Sequence, residues 1–436
     1  MQINDKNISF YKFSHLLLKE GWLSPAYVGR DQNGLIQYLS SEKPLSDFPI
    51  EHIDGAALPG FYNAHSHAFQ YGMAGKAEKH QEGTKDDFWS WREQMYECAL
   101  SYNPAEMKSI ALKLYQQMLK NGYTHVAEFH YLHHDRNGKP YANLAEMGES
   151  LIEAAAEAGI KITLIPIFYQ KSNFGQEPLA QQSRFISNNV DEYFRLLESS
   201  KAAVGKYKYA SLGFGVHSLR AVNTGDIITT YANGPAELPF HLHAAEQLKE
   251  VEDCLNFTGQ RPVDWLLNNL EVGQRFSIVH CTHMNEKEVK GLAESGANVI
   301  LCPGTEANLG DGIFPLVHYT RFKGAWATGT DSHISLNPLE DLRWLDYTQR
   351  LISHKRNIFN DGASHMIERT FNSGRMAMGE PAGNYFQVGR AFDAAIYGLQ
   401  HPVLAQAGLE FLLSAIVYVG GTSALLGTII NGKFVG

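Results

Sequence analysis

Between residues 58 and 331 the chain alternates short, apolar, β-rich runs with longer stretches of helical period, and this alternation limits the possible folds more than any other feature. The runs are LPGFYN (58–63), YTHVAEFH (123–130), IKITLIPIF (160–168), LGFGVHS (212–218), LPFHLHA (238–244), FSIVHCT (276–282), NVILCP (298–303) and GAWATGTD (324–331). Segments between them, such as PAEMKSIALKLYQQMLKNG and NLAEMGESLIEAAAEAG, close on a glycine in the manner of a helix C-cap. Eight strands alternating with helices is the count of an α/β fold of (β/α)8 TIM-like barrel type. The structural rival is a doubly wound open sheet, and it is weakened because no G-x-G-x-x-G follows an early strand.

The two ends of the chain read differently. Residues 8–57 are short strands and turns, with Asp31-Gln32-Asn33-Gly34 set between AYVGR and LIQYLS, and β-type text returns after 385 in VGRAFDAAIYG. The expected organisation is a small β-sandwich module built from 1–57 and 385–436, attached to a barrel of 58–384. Phe411–Ile430 is twenty residues without a charge, long enough to cross a bilayer. Gly420-Gly421-Thr422-Ser423 interrupts it, while Ile416-Val417-Tyr418-Val419 and Thr428-Ile429-Ile430 have β character before an Asn431-Gly432 hairpin signal. A pair of buried strands is therefore expected there, and no membrane span.

Composition narrows the function classes. With 44% hydrophobic and 19% charged residues the chain is globular, since a disordered chain would carry fewer apolar groups. The 37 basic and 46 acidic residues leave a net charge of −9 with no lysine/arginine block, which argues against nucleic-acid binding. The four cysteines (Cys98, Cys254, Cys281, Cys302) contain no C-x-x-C pair and make no disulfide framework. The opening MQINDKNISFYK lacks the apolar core of a signal peptide, so the cytoplasm is the expected compartment.

In a barrel of this kind chemistry sits at the C-terminal ends of the strands. There the sequence places His65-Ser66-His67 on the first strand, His243 on the fifth, His280 on the sixth and Asp331 on the eighth. Residues i and i+2 of a strand point to the same side, so His65 and His67 both face the barrel mouth. With His243 and Asp331 they form a three-histidine, one-carboxylate set suited to one Zn²⁺ with an open position for water. Glu246, one short step beyond His243, can reach both that water and a leaving group, as a proton shuttle must. His130, His133 and His134 in FHYLHHDRNG are read as polar loop residues. Cys281, opposite in alternation to His280, is read as packing behind the barrel.

The strings PGFYNAHSHAFQ, HLHAAE, VHCTH and TGTDSH resemble the amidohydrolase superfamily in its mononuclear deaminase branch, and the likeness covers the whole chain. Longer strings, among them HSHAFQYGMAGKAE, DFWSWREQMYECA, EFHYLHHDRNGKPY, VHSLRAV and CPGTEANLGDGIFPL, are similar to the formimidoylglutamate deiminase group within it. Two departures are GVHSLRAV, where the group tends to have a proline before the histidine, and a rather apolar C-terminal tail. The resemblance implies metal ligands His65, His67, His243 and Asp331, with Glu246 and His280 as proton-transfer and positioning groups. It also implies substrate contacts from Gln70, Arg92, Tyr131, His217 and Arg220. Arginine clamps a carboxylate through two parallel hydrogen bonds, so Arg92 and Arg220 at the mouth suit a dicarboxylate.

The reaction so implied is zinc-dependent hydrolysis of N-formimino-L-glutamate to N-formyl-L-glutamate and ammonia, a step of histidine degradation. Asp331 and His280 would orient and deprotonate the water, and Glu246 would protonate the departing nitrogen. The expected partner is the small dicarboxylate itself, with a homodimer as the expected assembly. Three alternatives stand beside this reading. A ring deaminase acting on guanine, cytosine or an adenosine derivative would share the metal set, although two arginines do not suit a neutral base. A binuclear amidohydrolase would need a lysine on the fourth strand, and LGFGVHS has none. A metal-free protein that binds a small acid would not need Glu246.

Overall fold

The structure, a computed structural model, describes residues 8–45, 49–78 and 87–435. The N-terminal tail Met1–Asn7, part of the opening stretch that lacks a signal-peptide pattern, lies outside them.

The barrel strands are Phe61–Ser66, Tyr123–His130, Lys161–Phe168, Phe214–Ser218, Phe240–Ala244, Phe276–His280, Asn298–Leu301 and Ala325–Thr328. They pair in chain order, and every pairing is parallel. A short strand, Ala210–Leu212, pairs beside the third. Closure comes through the site itself. Ser66 bridges Asp331 in parallel, and the Thr330 and Asp331 amides both donate to the His65 carbonyl at 3.0 Å. Gly329 makes this approach possible, because a Cβ there would lie 2.8 Å from the His65 amide nitrogen and 2.9 Å from its carbonyl oxygen.

Helices follow the strands as the glycine signals indicate. Pro104–Lys120 starts on an Asn103–Glu106 capping box, and Glu146–Ala158 ends at Gly159 in the left-handed region. Their apolar faces join one continuous core with the outer faces of the strands, while Ala64, Val279, Ile300 and Ala327 meet inside the barrel.

The terminal strands form one eight-stranded sheet, ordered Lys433–Val435, Leu425–Ile430, Ala394–Gly398, Ile50–Pro59, Ser9–Leu18, Ala26–Arg30 and Ile36–Ser40, with Gly21–Leu23 beside Ser9–Leu18. Tyr11, Phe13, Val28, Phe392, Ile396 and Ile429 fill a second core, giving a sandwich module made of both ends. Strand Ile50–Pro59 leads straight into the first barrel strand.

Two expectations are corrected. Ile416–Val419 is helical: Pro402–Ala415 continues as a π-helical turn over Ile416–Gly420, and only Leu425–Ile430 is the strand expected in that segment. The β-branched residues yield to context, because Ile416 and Val417 bury against the core while Arg343 donates to the Val417 carbonyl at 2.8 Å. Pro402–Gly420 has 19 residues and holds an 18-residue window of mean hydropathy 1.7, of which 39% is buried, and by length and composition alone it could cross a membrane. Its backbone breaks at Gly408 (φ 66°), and Tyr418 ties its end to Asp346 at 2.7 Å. The second correction concerns the aromatic-rich stretch after the first strand, which by its sequence is expected as a loop that carries Arg92. It is a helix, Phe88–Ser101, capped by Asp87, and Arg92 stands on it.

Candidate active site

The strand ends bring three imidazoles together. His65 Nε2 lies 3.1 Å from His67 Nε2 and 3.1 Å from His243 Nε2, and Asp331 Oδ1 lies 3.2 Å from His67 and 3.5 Å from His65. His67 donates Nδ1–H to the Phe129 carbonyl (2.9 Å) and His243 donates Nδ1–H to the His217 carbonyl (3.0 Å), so both present the Nε2 lone pair to the centre. Lone pairs so close repel unless a cation lies between them. Tetrahedral zinc with nitrogen ligands at about 2.0–2.1 Å sets those ligands about 3.3 Å apart. The donor set fits such an ion. Burial, reinforced by the neighbouring His67, holds His65 down to about 3, so the ring is a neutral ligand at physiological pH. Burial also opposes the charge on Asp331, but the adjoining His65 and His67 imidazoles outweigh it and keep the carboxyl well below its usual range.

Beside this set lie Glu246 and His280. His280 Nε2 is 3.6 Å from Glu246 and 3.9 Å from Asp331, and its Nδ1 is 3.3 Å from Glu306. Burial lifts Glu246 to about 6, with His280 and Arg220 opposing. Burial would discharge His280, yet the surrounding carboxylates, Glu246 foremost, raise it to about 10. Ala245, His280, Cys281 and Asp331 all hold positive φ (53°, 70°, 53° and 48°). Non-glycine residues in that region cost of order 1–2 kcal/mol each, and here the strain is concentrated around the reactive groups.

Above the metal set the pocket is lined by Gln70, Arg92, Tyr131, His217 and Arg220, together with Trp91, Tyr96 and Tyr169. Gln70 donates to the Tyr131 hydroxyl at 3.1 Å, leaving Gln70 Oε1 buried without a partner. Arg92 Nε and Arg220 Nη1 are likewise buried and unpartnered. Arg92 lies over the Trp89 ring at 4.5 Å and the Tyr96 ring at 5.6 Å. Among the described residues, neither arginine has a carboxylate at ion-pair distance.

Residues 56–435 match the amidohydrolase family. The chain belongs to that family. It is 41% identical over 424 residues to the formimidoylglutamate deiminase of Pseudomonas aeruginosa, spanning 96% of this chain and 92% of that protein. A solved amidohydrolase from Brucella melitensis is 36% identical, with a TM-score of 0.90 over 98% of this chain and 94% of its own. An adenosine deaminase from Xanthomonas campestris with bound zinc is 21% identical, with a TM-score of 0.78 over 98% and 92%, a likeness of fold.

Sequence reasoning gave no role to four further residues of this amidohydrolase. Asn63 accepts from the Thr330 amide (2.9 Å) and donates to its hydroxyl (2.7 Å), stapling the first strand to the last. Glu128 accepts from Ser66 Oγ and from the Ala68 amide, both at 2.6 Å, and so braces both sides of His67. Glu306 backs His280. Asp311 lies with Glu246 and His280 in a cluster whose ligand atoms are within 4.8 Å of one another. Asn63 and the Glu306–Asp311 pair stand inside motif strings, but only the closed barrel shows what they touch.

Of the histidines of FHYLHHD, expected as polar loop residues, His130 ends the second barrel strand and His133 and His134 lie in the loop beyond it. His130 and His133 are buried, and His133 and His134 tie to the Ile167 and Ile186 carbonyls at 2.9 and 2.8 Å. None of the three joins the metal set. Cys281 is fully buried in the main core.

Proposed function

We propose that this amidohydrolase hydrolyses N-formimino-L-glutamate to N-formyl-L-glutamate and ammonia, as the name of its Pseudomonas relative suggests, within histidine degradation. One observation carries this reading: a buried carboxylate, Glu246, stands between a four-ligand metal set and two arginines, Arg220 buried and Arg92 half-buried, that have no ion-pair partner among the described residues. Arg92 and Arg220 take the two carboxylates of the substrate, with Gln70, Tyr131 and His217 completing the pocket, and this leaves the formimino carbon over the metal set.

His65, His67, His243 and Asp331 would hold one divalent ion, and three nitrogens with one oxygen favour zinc. When bound, such an ion polarises water and lowers its pKa toward about 7. Glu246, raised to about 6 and lining the pocket beside the metal set, is the proton carrier. It takes a proton from the reacting water and gives it to the imino nitrogen, and repeats this as the C–N bond breaks. Both hydrogens of the water thus leave on ammonia while its oxygen stays as the formyl oxygen. Asp331, held ionised, orients the water. His280 keeps its own proton at neutral pH and so positions the oxygen through Nε2–H rather than acting as the base.

Ammonia release from N-formimino-L-glutamate, compared with guanine and N-formimino-L-aspartate, tests the assignment. Preference for guanine would replace it with a ring deaminase, and no turnover with a loaded metal would replace it with a binding protein.

The same reading places the enzyme in the cytoplasm and divides it at 57/58 and 384/385 into the two-ended module and the barrel. It also makes the protein a homodimer. Trp344, Leu351, Ile352, Phe411 and Val419 leave apolar side chains exposed on Pro338–Ser353 and the adjacent Pro402–Gly420 segment. A monomeric mass by light scattering would remove the dimer.

A further inference from the structure

His280 is the most crowded group in the site, and the mechanism needs one of its two ring nitrogens in one place. Nε2 faces Glu246 at 3.6 Å and Asp331 at 3.9 Å. An imidazole attached at the end of a strand can rotate about its side-chain bonds, and a half-turn of the ring would exchange a nitrogen for a carbon at the reacting water. Something must forbid that rotation.

Glu306 stands on the far side of the ring. It belongs to the short helix Pro303–Leu309 that follows the seventh strand, and its Oε1 is 3.3 Å from His280 Nδ1. The same oxygen accepts the Cys302 amide at 2.9 Å, so the carboxylate is anchored by its own helix start before it meets the histidine. Glu306 and His280 are 5% and 1% exposed, so water does not compete for this bond. An acceptor at Nδ1 is satisfied only when that nitrogen carries the hydrogen. The carbon edge of a flipped ring would leave the carboxylate oxygen facing C–H, with the loss of a charge-assisted hydrogen bond.

We propose that Glu306 is a positioning residue for the reaction: by accepting Nδ1–H it fixes the ring orientation of His280 and thereby presents Nε2 to the reacting water. The arrangement resembles the second carboxylate that orients a histidine in other hydrolytic sites, although here it comes from the short helix after the next strand. Glu306 touches neither substrate nor reacting atoms. Its role rests on the hydrolytic reading above for its kinetic consequence, but the hydrogen bond itself is independent of any substrate.

The test uses the full metal-loaded chain with Glu306→Leu and Glu306→Gln. Glutamine retains a carbonyl oxygen for Nδ1–H, whereas leucine has no acceptor. Proton NMR of the substrate-free protein should show a far-downfield ring N–H, assigned by its absence in His280→Asn. The signal should be lost in Glu306→Leu and kept, moved upfield, in Glu306→Gln. With substrate, Glu306→Leu should lower kcat by about 10- to 100-fold at unchanged KM and metal content, and Glu306→Gln should recover most of it. Should Glu306→Leu fail to fold, the wild-type and glutamine spectra still decide. Absence of the signal in the wild type, its persistence in the leucine variant, or a leucine variant that loses thermal stability while keeping kcat would each overturn the proposal. If N-formimino-L-glutamate proves not to be the substrate, the N–H signal still reports on Glu306.

Discussion

On the floor of the pocket the protein itself occupies the spare nitrogens: His67 Nδ1 by Phe129, His243 Nδ1 by His217, His280 Nδ1 by Glu306, with His65 Nδ1 the one left without a partner. On the wall the situation is reversed, since Arg92 Nε, Arg220 Nη1 and Gln70 Oε1 are buried and unsatisfied. Leaving such groups unpaired costs about 1–3 kcal/mol each, more for a charged one. A fold bears that cost where a ligand will remove it. On the function proposed above, the floor is set before any substrate arrives, whereas the wall is completed by the substrate. Damage to the floor should slow every substrate, and damage to the wall should slow only those with carboxylates.

The largest effect expected is on the floor. Removing the metal with a chelator should reduce turnover by more than about four orders of magnitude, and zinc should restore it. Retained turnover in protein shown to be metal-free would break the comparison outright. Next comes Glu246→Gln, which should keep metal and fold yet lower kcat by about two to four orders on every substrate. In the wild type, Glu246 must be ionised to take the first proton. Burial raises its pKa to about 6, so kcat/KM should fall as pH drops through that value, and this limb should vanish from the residual activity of the variant. A wild-type profile flat down to pH 5 would remove Glu246 as the carrier.

How much of this was legible follows from which physical rule each residue obeys. Strand period two exposes His65 and His67 from the text alone, and barrel topology adds His243, His280 and Asp331, because strand ends converge whatever lies between them. Glu306 and Asp311 follow no such rule. They sit 26 and 31 residues after His280, and only the fold-back of a seven-residue helix and the glycine-flanked turn at Gly310 and Gly312 bring them behind the site. Ile416–Val419 was misread for the opposite reason. Its β-branched residues state a local preference clearly, but the helix begun at Pro402 and the packing of Ile416 and Val417 override it.

On the wall, Arg92→Met and Arg220→Met should each lower kcat/KM for N-formimino-L-glutamate at least tenfold, because a hydrogen bond to a charged group contributes about 1.5–3 kcal/mol. A neutral formamidine with no carboxylate should be affected far less. Equal losses on the two substrates would mean that the arginines support structure, and the contrast between wall and floor would lose its meaning.

The smallest effect is the most diagnostic of how the floor is built. Burial, with the charge of Glu246 adding to it, lifts Asp311 to about 9, and its Oδ2 is buried without a partner while Gln247 holds Oδ1. In the unfolded chain the same carboxyl ionises near 3.8. Below that value both states are protonated and the group costs nothing. Between that value and about 9 the unfolded state is ionised and the folded state is not, so stability declines as pH rises through this window. Asp311→Asn keeps an acceptor for Gln247 and cannot ionise. It should therefore stabilise the fold at pH 7 by about 1 kcal/mol or more, seen as a higher denaturation midpoint, and the advantage should shrink as pH falls toward 4. An asparagine variant no more stable than the wild type at pH 7, or equally favoured at pH 4 and 7, would show that Asp311 is ionised in the folded enzyme. The floor would then carry one more negative charge beside Glu246, and the difference between a finished floor and an unfinished wall would narrow to the arginines alone.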